Sequence, residues 1–286
     1  ARTMRTLTRA TGRQLLSRIG FWLLVLVVLA VVSFPLVWMA SSSFKPANEL
    51  FKSPPSIFPA SPTLTWYVEA FRDSDALRYS LNSLVIATTT TLLCVVLGTL
   101  GAYGLARFEY RGRKAIIAGI LMAYCIPPIM FMTPLYRLIA GAGLNSTYIG
   151  VIVGHFTITF PFCLWLLISF FEKIPKEIEE SASVDGASIF TVFFRIDMPL
   201  VMPGVLSAGI MVFILSWNEY LLASVLVSSD TMKTLTVGLA NYVSSTEINW
   251  GVVMAIGTAT TIPIIILFTA VQKYFVEGLT AGSVKG

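Results

Sequence analysis

The side chains able to do chemistry in this chain are few, and they fall into two groups. Glu177, Glu179, Glu180 and Asp185 crowd into one polar stretch, Pro175-Lys-Glu-Ile-Glu-Glu-Ser-Ala-Ser-Val-Asp-Gly186-Ala-Ser, which closes at Arg195-Ile-Asp-Met-Pro199. Glu219 and His155 stand singly inside apolar runs. Neither group is a catalytic constellation. His155 is the sole histidine and lacks acidic or thiol neighbours in sequence, so it reads as an interhelical hydrogen-bonding residue rather than a ligand. Cys94, Cys125 and Cys163 lie far apart with no CxxC among them and read as packing residues. No Gly-Lys dipeptide occurs, so the chain cannot build a GxxxxGK[ST] phosphate cradle of its own. It does not read as an enzyme. The chemistry that remains is recognition by the acidic stretch and polar work inside a membrane by Glu219.

The elements that must position these residues follow from hydropathy. The 286 residues are 56% hydrophobic and only 12% charged, against about 25% charged in soluble domains. Mean hydropathy is +0.79. Uncharged runs cover residues 21–40, 83–106, 115–136, 138–171 and 251–272, and a bilayer core is crossed by roughly 20 apolar residues in a helix. The run 138–171 is too long for one span. Its start, Gly141-Ala-Gly-Leu-Asn-Ser-Thr147, reads as an external loop before a span at 148–171. A further span, 204–227, carries a single charge, Glu219. The expected fold is therefore an all-α integral membrane protein with six transmembrane helices in one domain, 21–276. A cytoplasmic N-terminal arm, 1–20, precedes it, and a cytoplasmic tail, 277–286, follows.

Five arginines (Arg2, Arg5, Arg9, Arg13, Arg18) precede the first run. That run exceeds a signal-peptide core of roughly 7–15 residues, and no small-x-small cleavage site stands out, so an uncleaved first span is expected. With both termini inside, the inner segments hold fourteen Lys/Arg and the outer ones six, as the positive-inside rule requires. The polar stretch, within a loop at 173–203, is then cytoplasmic. The pI of about 9.2 reflects topology and implies no nucleic-acid partner.

Outside, the segment 41–82 is proline-rich and then helix-like, with Trp66, Tyr67 and Phe71; it reads either as a solvated connector or as a surface for an external partner. The segment 228–250 invites the same two readings. Within the spans, prolines remove backbone donors and kink helices. The pair Pro127-Pro128 is the strongest break, either a packing kink or a helix opened beside a pathway. Gly98, Gly101 and Gly104 permit close helix approach. Glu219, costly inside a membrane, must face the bundle interior or water. It serves either as an interhelical hydrogen bonder or as polar lining of a path, with Trp217 and Tyr220 able to stack on a ring-shaped solute and Asn218 or Glu219 able to bond its hydroxyls.

The polar stretch itself predicts a helix–turn–helix. Pro175 suits a helix start, and Glu177, Glu179 and Glu180 favour that end of the dipole. Ala182 and Val184 supply an apolar side. Asp185-Gly186 is turn chemistry, and Ser188 can cap a second helix with Ile189, Val192, Phe193 and Ile196 at helical spacing. Pro199 and Pro203 are expected to end that run.

These residues resemble the EAA signature of ABC-importer permeases: Glu180-Ser181-Ala182, then Asp185-Gly186-Ala187, Phe190, Ile196 and Pro199, with Ser181 replacing alanine. Tyr79-Ser-Leu-Asn82-Ser83, Trp217-Asn218-Glu219-Tyr220, and the tail Gly278-Leu279-Thr280 with Gly282 and Val284-Lys285-Gly286 resemble the carbohydrate-uptake subclass, similar to the smaller permease of maltose-type transporters. The resemblance implies a type I ABC-importer permease fold whose cytoplasmic loop is a coupling helix docked on an ATPase subunit. Glu180 would face a basic residue of that subunit, Gly186 would form the turn, and Phe190, Phe193 and Phe194 would pack at the seam. It further implies a second homologous permease, two ATPase subunits carrying ATP and Mg, an extracytoplasmic solute-binding protein, and no cofactor on this chain. The implied solute is a carbohydrate or related polyol-type compound, with a non-sugar solute such as a glycerophosphodiester as the alternative. An ion-coupled secondary transporter would have only Glu219 and His155 for coupling and would leave the cytoplasmic loop unused.

Overall fold

The computed structural model describes residues 2–72, 74–244 and 248–280. In chain order the helices are α1 (Arg2–Ser42), α2 (Ala47–Leu50), α3 (Thr65–Phe71), α4 (Ala76–Arg107), α5 (Arg113–Cys125), α6 (Pro128–Gly141), α7 (Tyr148–Phe171), α8 (Lys176–Val184), α9 (Ile189–Val192), α10 (Met198–Trp217), α11 (Leu221–Leu226), α12 (Leu235–Ser244) and α13 (Trp250–Thr280). A π-helical turn, Phe193–Asp197, joins α9 to α10. No strand occurs among the described residues.

Among the described residues, five stretches are long and apolar enough to cross a bilayer: Ser17–Ser42, Ala76–Arg107, Tyr148–Phe171, Ile189–Trp217 and Trp250–Ala270. A sixth crossing arises if α5 and α6, bent by 100°, count as one broken span. The bend has a local cause. Ile126 and Pro127 each precede a proline, which clashes with helical geometry at the residue before it. Both are extended (ψ 126° and 131°), and Pro128 opens α6, where its missing N–H costs nothing. The run 115–136 is thus two helices.

The expected arm 1–20 is helical from Arg2 and continues without a break into the first span as α1. Two further expectations are corrected. The run 204–227 is broken at Asn218–Tyr220, between α10 and α11. Pro199 and Pro203 do not end the preceding run but lie within α10. The wider π turn before Pro199, closed by Met198 N–H donating to the Phe193 carbonyl five residues back, accommodates a ring that lacks its own donor. In the tail, 277–280 continue α13, while Gly282 and 284–286 lie outside the described residues.

The chain forms two compact units, Ala1–Ala70 with Asn249–Thr258, and Phe71–Ile248 with Ala259–Gly286. In the first, the segment that follows α1 is organised around Lys45, which is only 1% exposed. Its ammonium donates to the Ser56 carbonyl (2.6 Å) and lies 4.1 Å from the Trp38 ring centroid, while Trp66 Nε1 donates to the Lys45 carbonyl (2.6 Å). A buried cation persists only when so partnered. Gly251, with no side chain, lets α13 lie against the Trp66 indole.

In the second unit, α4, α7 and α10 pack around a core that includes Ala102, Leu105, Leu164, Leu167, Phe171, Val205 and Val212. Gly98 and Gly101 face Leu167 and Leu164 of α7, and Gly204 abuts the Phe170 ring so closely that a Cβ would overlap it. Such small-residue crossings substitute for the hydrophobic drive that lipid removes. Cys94 and Cys163 are buried in this core, as expected; Cys125 is exposed, which corrects its reading as a packing residue.

Candidate functional site

The polar stretch folds as a projecting helix–turn–helix. Pro175 takes the N-cap position of α8, with Glu177 and Glu179 in its first turn. At the C-terminal end, Ala187 N–H donates to the Ala182 carbonyl (3.0 Å) and Gly186 N–H to that of Ser183 (3.1 Å). This is a Schellman closure, which requires the left-handed conformation that Gly186 adopts at φ +83°. Ser188 caps the next helix, its Oγ accepting from Thr191 N–H (3.3 Å). The turn is therefore fixed by three local devices the sequence encodes.

Glu180, Ser181, Asp185 and Gly186 are exposed, and Ala182 and Ala187 are half-buried. Phe190 (72%) and Phe194 (62%) project outward. Phe193 does not join them. It is buried within this chain, its ring 4.8 Å from that of Tyr103 on α4, which corrects its expected place at an external seam. Pro199 is exposed at the start of α10.

Behind this outer face lies a buried charged cluster that sequence reasoning missed. Arg107, at the C-terminal end of α4, forms an ion pair through Nε with Glu179 of α8, and its Nη2 donates to the Ile174 carbonyl (3.2 Å). The two side chains are 5% and 15% exposed. Asp197, ending the π turn, is fully buried and has Glu179 and Arg107 as charged neighbours. A cleft of about 230 Å³ lined by Tyr103, Arg107, Glu179 and Val192 opens beside the Arg107–Glu179 pair. The available signals were Arg107 as the first charge after an apolar run and Asp197 inside Arg195-Ile-Asp-Met-Pro199. No spacing rule links residues 107, 179 and 197.

A second polar group forms around the break between α10 and α11. The Glu219 carboxylate accepts from the N–H groups of Leu222 (2.7 Å) and Ala223 (2.9 Å), closing the N-terminus of α11. Its Oε2 stands 3.2 Å from His155 Nε2 on α7, and His155 Nδ1 is hydrogen-bonded to Ser216 Oγ at 2.7 Å. His155 is thus an interhelical residue, fully buried. Trp217 is not placed to stack on a solute: it is 4% exposed, stacked on Phe213 at 5.6 Å, and donates from Nε1 to the Thr260 carbonyl (3.1 Å). Asn218 donates to the Ile214 carbonyl (2.9 Å), while Tyr220 is 42% exposed. Pro127 and Pro128 are exposed at the α5–α6 bend. Among the described residues no group of three or more His, Cys, Asp or Glu could hold a metal ion.

Comparison with known proteins places this architecture. Residues 94–280 match the family described as binding-protein-dependent transport system inner membrane component. The chain is 37% identical to the inner membrane ABC transporter permease protein YcjP of Escherichia coli (strain K12), across 97% of this chain and 100% of that protein. It is 34% identical to the trehalose transport system permease protein SugB of Mycobacterium tuberculosis (strain CDC 1551 / Oshkosh), across 94% of this chain and 98% of that one. A crystal structure of a bacterial ABC transporter involved in import of the acidic polysaccharide alginate shares the fold, with a TM-score of 0.78 and 23% identity over 92% of this chain and 97% of that chain. This multi-pass, all-helical chain belongs to the binding-protein-dependent transport system inner membrane components, the permease subunits of ABC transporters.

Proposed function

We propose that this chain forms half of the translocation path of an ATP-driven importer for a sugar or related polyol-type solute. It takes its free energy from ATPase subunits docked on the α8–α9 projection. The observation that carries this reading is the projection itself: a short helix closed by Gly186, with Glu180, Asp185 and two phenylalanines presented outward and its inner face anchored to α4 by Glu179. A rigid lever of this kind suits the transmission of a partner's motion into the spans. The carbohydrate class is supported by the 34% identity to a trehalose permease.

The assembly this implies contains a second, similar permease, two ATPase subunits that hold ATP and Mg, and an extracytoplasmic solute-binding protein. Both termini and the projection face the cytoplasm. This chain contributes no catalytic residue; its work is docking and gating. Reconstitution of the complex with Glu180→Lys tests the reading. Membrane insertion should persist while solute uptake per ATP hydrolysed collapses, and normal coupling would remove the docking assignment. A thermal-shift screen of the cognate binding protein against sugars, polyols and glycerophosphodiesters identifies the solute class.

A further inference from the structure

Docking leaves Asp197 without a role, yet it occupies the most expensive position of any carboxylate described. It is 0% exposed, no N–H group bonds its oxygens, and the one side chain hydrogen-bonded to it is another carboxyl, that of Glu179. Burial of a carboxyl group against a second carboxyl group, with no cation bonded to it, is strongly unfavourable and calls for an explanation. The backbone is unusual at the same point. The π turn Phe193–Asp197 inserts a wide turn into an otherwise α-helical run, a feature that recurs at functional sites. It turns Asp197 inward while Phe194 and Arg195 face out.

The charges around Asp197 do not balance. Two carboxylates, Glu179 and Asp197, share one guanidinium, Arg107. Arg107 commits Nε to Glu179 and Nη2 to the Ile174 carbonyl, and a guanidinium carries five N–H donors, so it retains capacity for a second acceptor. The three residues come from three elements that a lever must connect: Arg107 ends α4, Glu179 lies on α8, and Asp197 is the root of α10.

We infer that Arg107 exchanges carboxylates during the transport cycle, holding Glu179 in the arrangement described here and Asp197 when α8 is displaced. The inference rests on the proposed docking of an ATPase on α8. In the first arrangement the projection is tied to the end of α4. In the second, α4 is tied to the root of α10, and the free carboxylate becomes Glu179 at the margin of the open cleft, where water can solvate it. Asp197, which has no cation bonded to it in this arrangement, is then the unfilled half of a two-position switch, and small displacements of α8 select between two discrete pairings.

The test uses the full reconstituted complex with binding protein and solute. Asp197→Asn removes the negative charge of the second partner and leaves it one acceptor oxygen, and should lower solute-stimulated ATP hydrolysis and uptake by roughly two- to thirtyfold. Glu179→Gln removes the negative charge of the first partner and should raise hydrolysis in the absence of binding protein by a similar factor, roughly two- to thirtyfold. Opposite signs from two neighbouring neutralisations are not expected of residues that merely hold the fold. A fall or no change with Glu179→Gln overturns the exchange, whether or not Asp197→Asn assembles. Normal uptake by an assembled Asp197→Asn complex overturns it equally. Cross-linking from Ala182→Cys to an ATPase subunit is followed in parallel. A cross-link with the wrong signs defeats the exchange alone, whereas absence of any cross-link defeats the docking reading and the exchange with it.

Discussion

Glu219 reaches from the break in the fifth span to within 3.2 Å of His155 Nε2 on α7, while its two oxygens close the first turn of α11. One side chain therefore fixes both the local break and its distance from the neighbouring helix. A glutamate so buried is normally costly in a membrane. Here the orphan N–H groups of a helix start meet the carboxylate, and the backbone gap that Asn218–Tyr220 creates is satisfied from within.

Glu219→Gln should weaken this joint without abolishing the fold. An amide carries only one acceptor oxygen, so one of the two α11 donors is left unpaired, at a cost of about 1–3 kcal/mol. Uptake should fall while the ATPase subunits stay bound, measured by co-purification alongside solute flux. Unchanged uptake would reduce Glu219 to a packing residue. If the His155 contact contributes independently, His155→Leu should add to the loss in a double variant; a shared joint gives a double loss no larger than the greater single one.

Gly186 offers a graded test of the turn. Nothing lies within 4 Å of a Cβ built there, so the penalty for a side chain is conformational alone at φ +83°. Gly186→Ala should cost about 1–2 kcal/mol, the usual left-handed penalty, and Gly186→Asn less, since asparagine tolerates this region. Gly186→Pro both locks φ near −65° and removes the N–H bonded to Ser183. Coupling efficiency, measured as solute moved per ATP, should decline in the order Asn, Ala, Pro. Equal coupling for all three would mean that the turn geometry is not used.

The sequence disclosed the elements better than their joints. Apolar run lengths located the spans because a bilayer imposes a length and excludes charge. Asp185-Gly186 disclosed the turn because only a few residues tolerate positive φ. Pro127-Pro128 marked the α5–α6 break for an equally local reason. What stayed hidden depends on packing between distant segments. The Arg107–Glu179–Asp197 cluster unites residues far apart in the chain, and no periodicity predicts that three helix ends converge. Pro199 misled because a proline read alone signals a stop, whereas a π turn two residues earlier made room for it. Phe193 misled because helical spacing cannot say which of two adjacent phenylalanines turns toward Tyr103.

Gly204 should be intolerant of any side chain. Its Cβ would overlap the Phe170 ring on α7, and both residues sit in helices whose crossing the core fixes. Overpacking of this kind costs about 1–3 kcal/mol. Gly204→Ala should therefore lower the melting temperature of the detergent-solubilised complex, and Phe170→Leu in the same chain should recover part of it. Gly119→Ala, in open space on α5, is the matched control and should leave the melting temperature unchanged. Equal behaviour of the two glycine variants would remove the close crossing from the account.

Trp217 and Tyr220 separate structure from solute contact. Trp217 is buried, stacked on Phe213 and hydrogen-bonded to the Thr260 carbonyl, so Trp217→Phe keeps the ring stack and loses one N–H bond worth about 1 kcal/mol. Stability should drop slightly while the solute concentration for half-maximal uptake stays constant. Tyr220 is 42% exposed beside the break, with its backbone leading into α11. If an aromatic side chain of this segment stacks on a sugar ring, it is this one, and Tyr220→Ala should raise the half-maximal solute concentration several-fold, roughly the loss expected for 0.5–1.5 kcal/mol of stacking. Tyr220→Phe should restore most of it, because the ring face and not the hydroxyl makes the contact. A Trp217→Phe variant that shifts solute dependence while Tyr220→Ala does not would reverse the assignment and move the path to the buried side of α10.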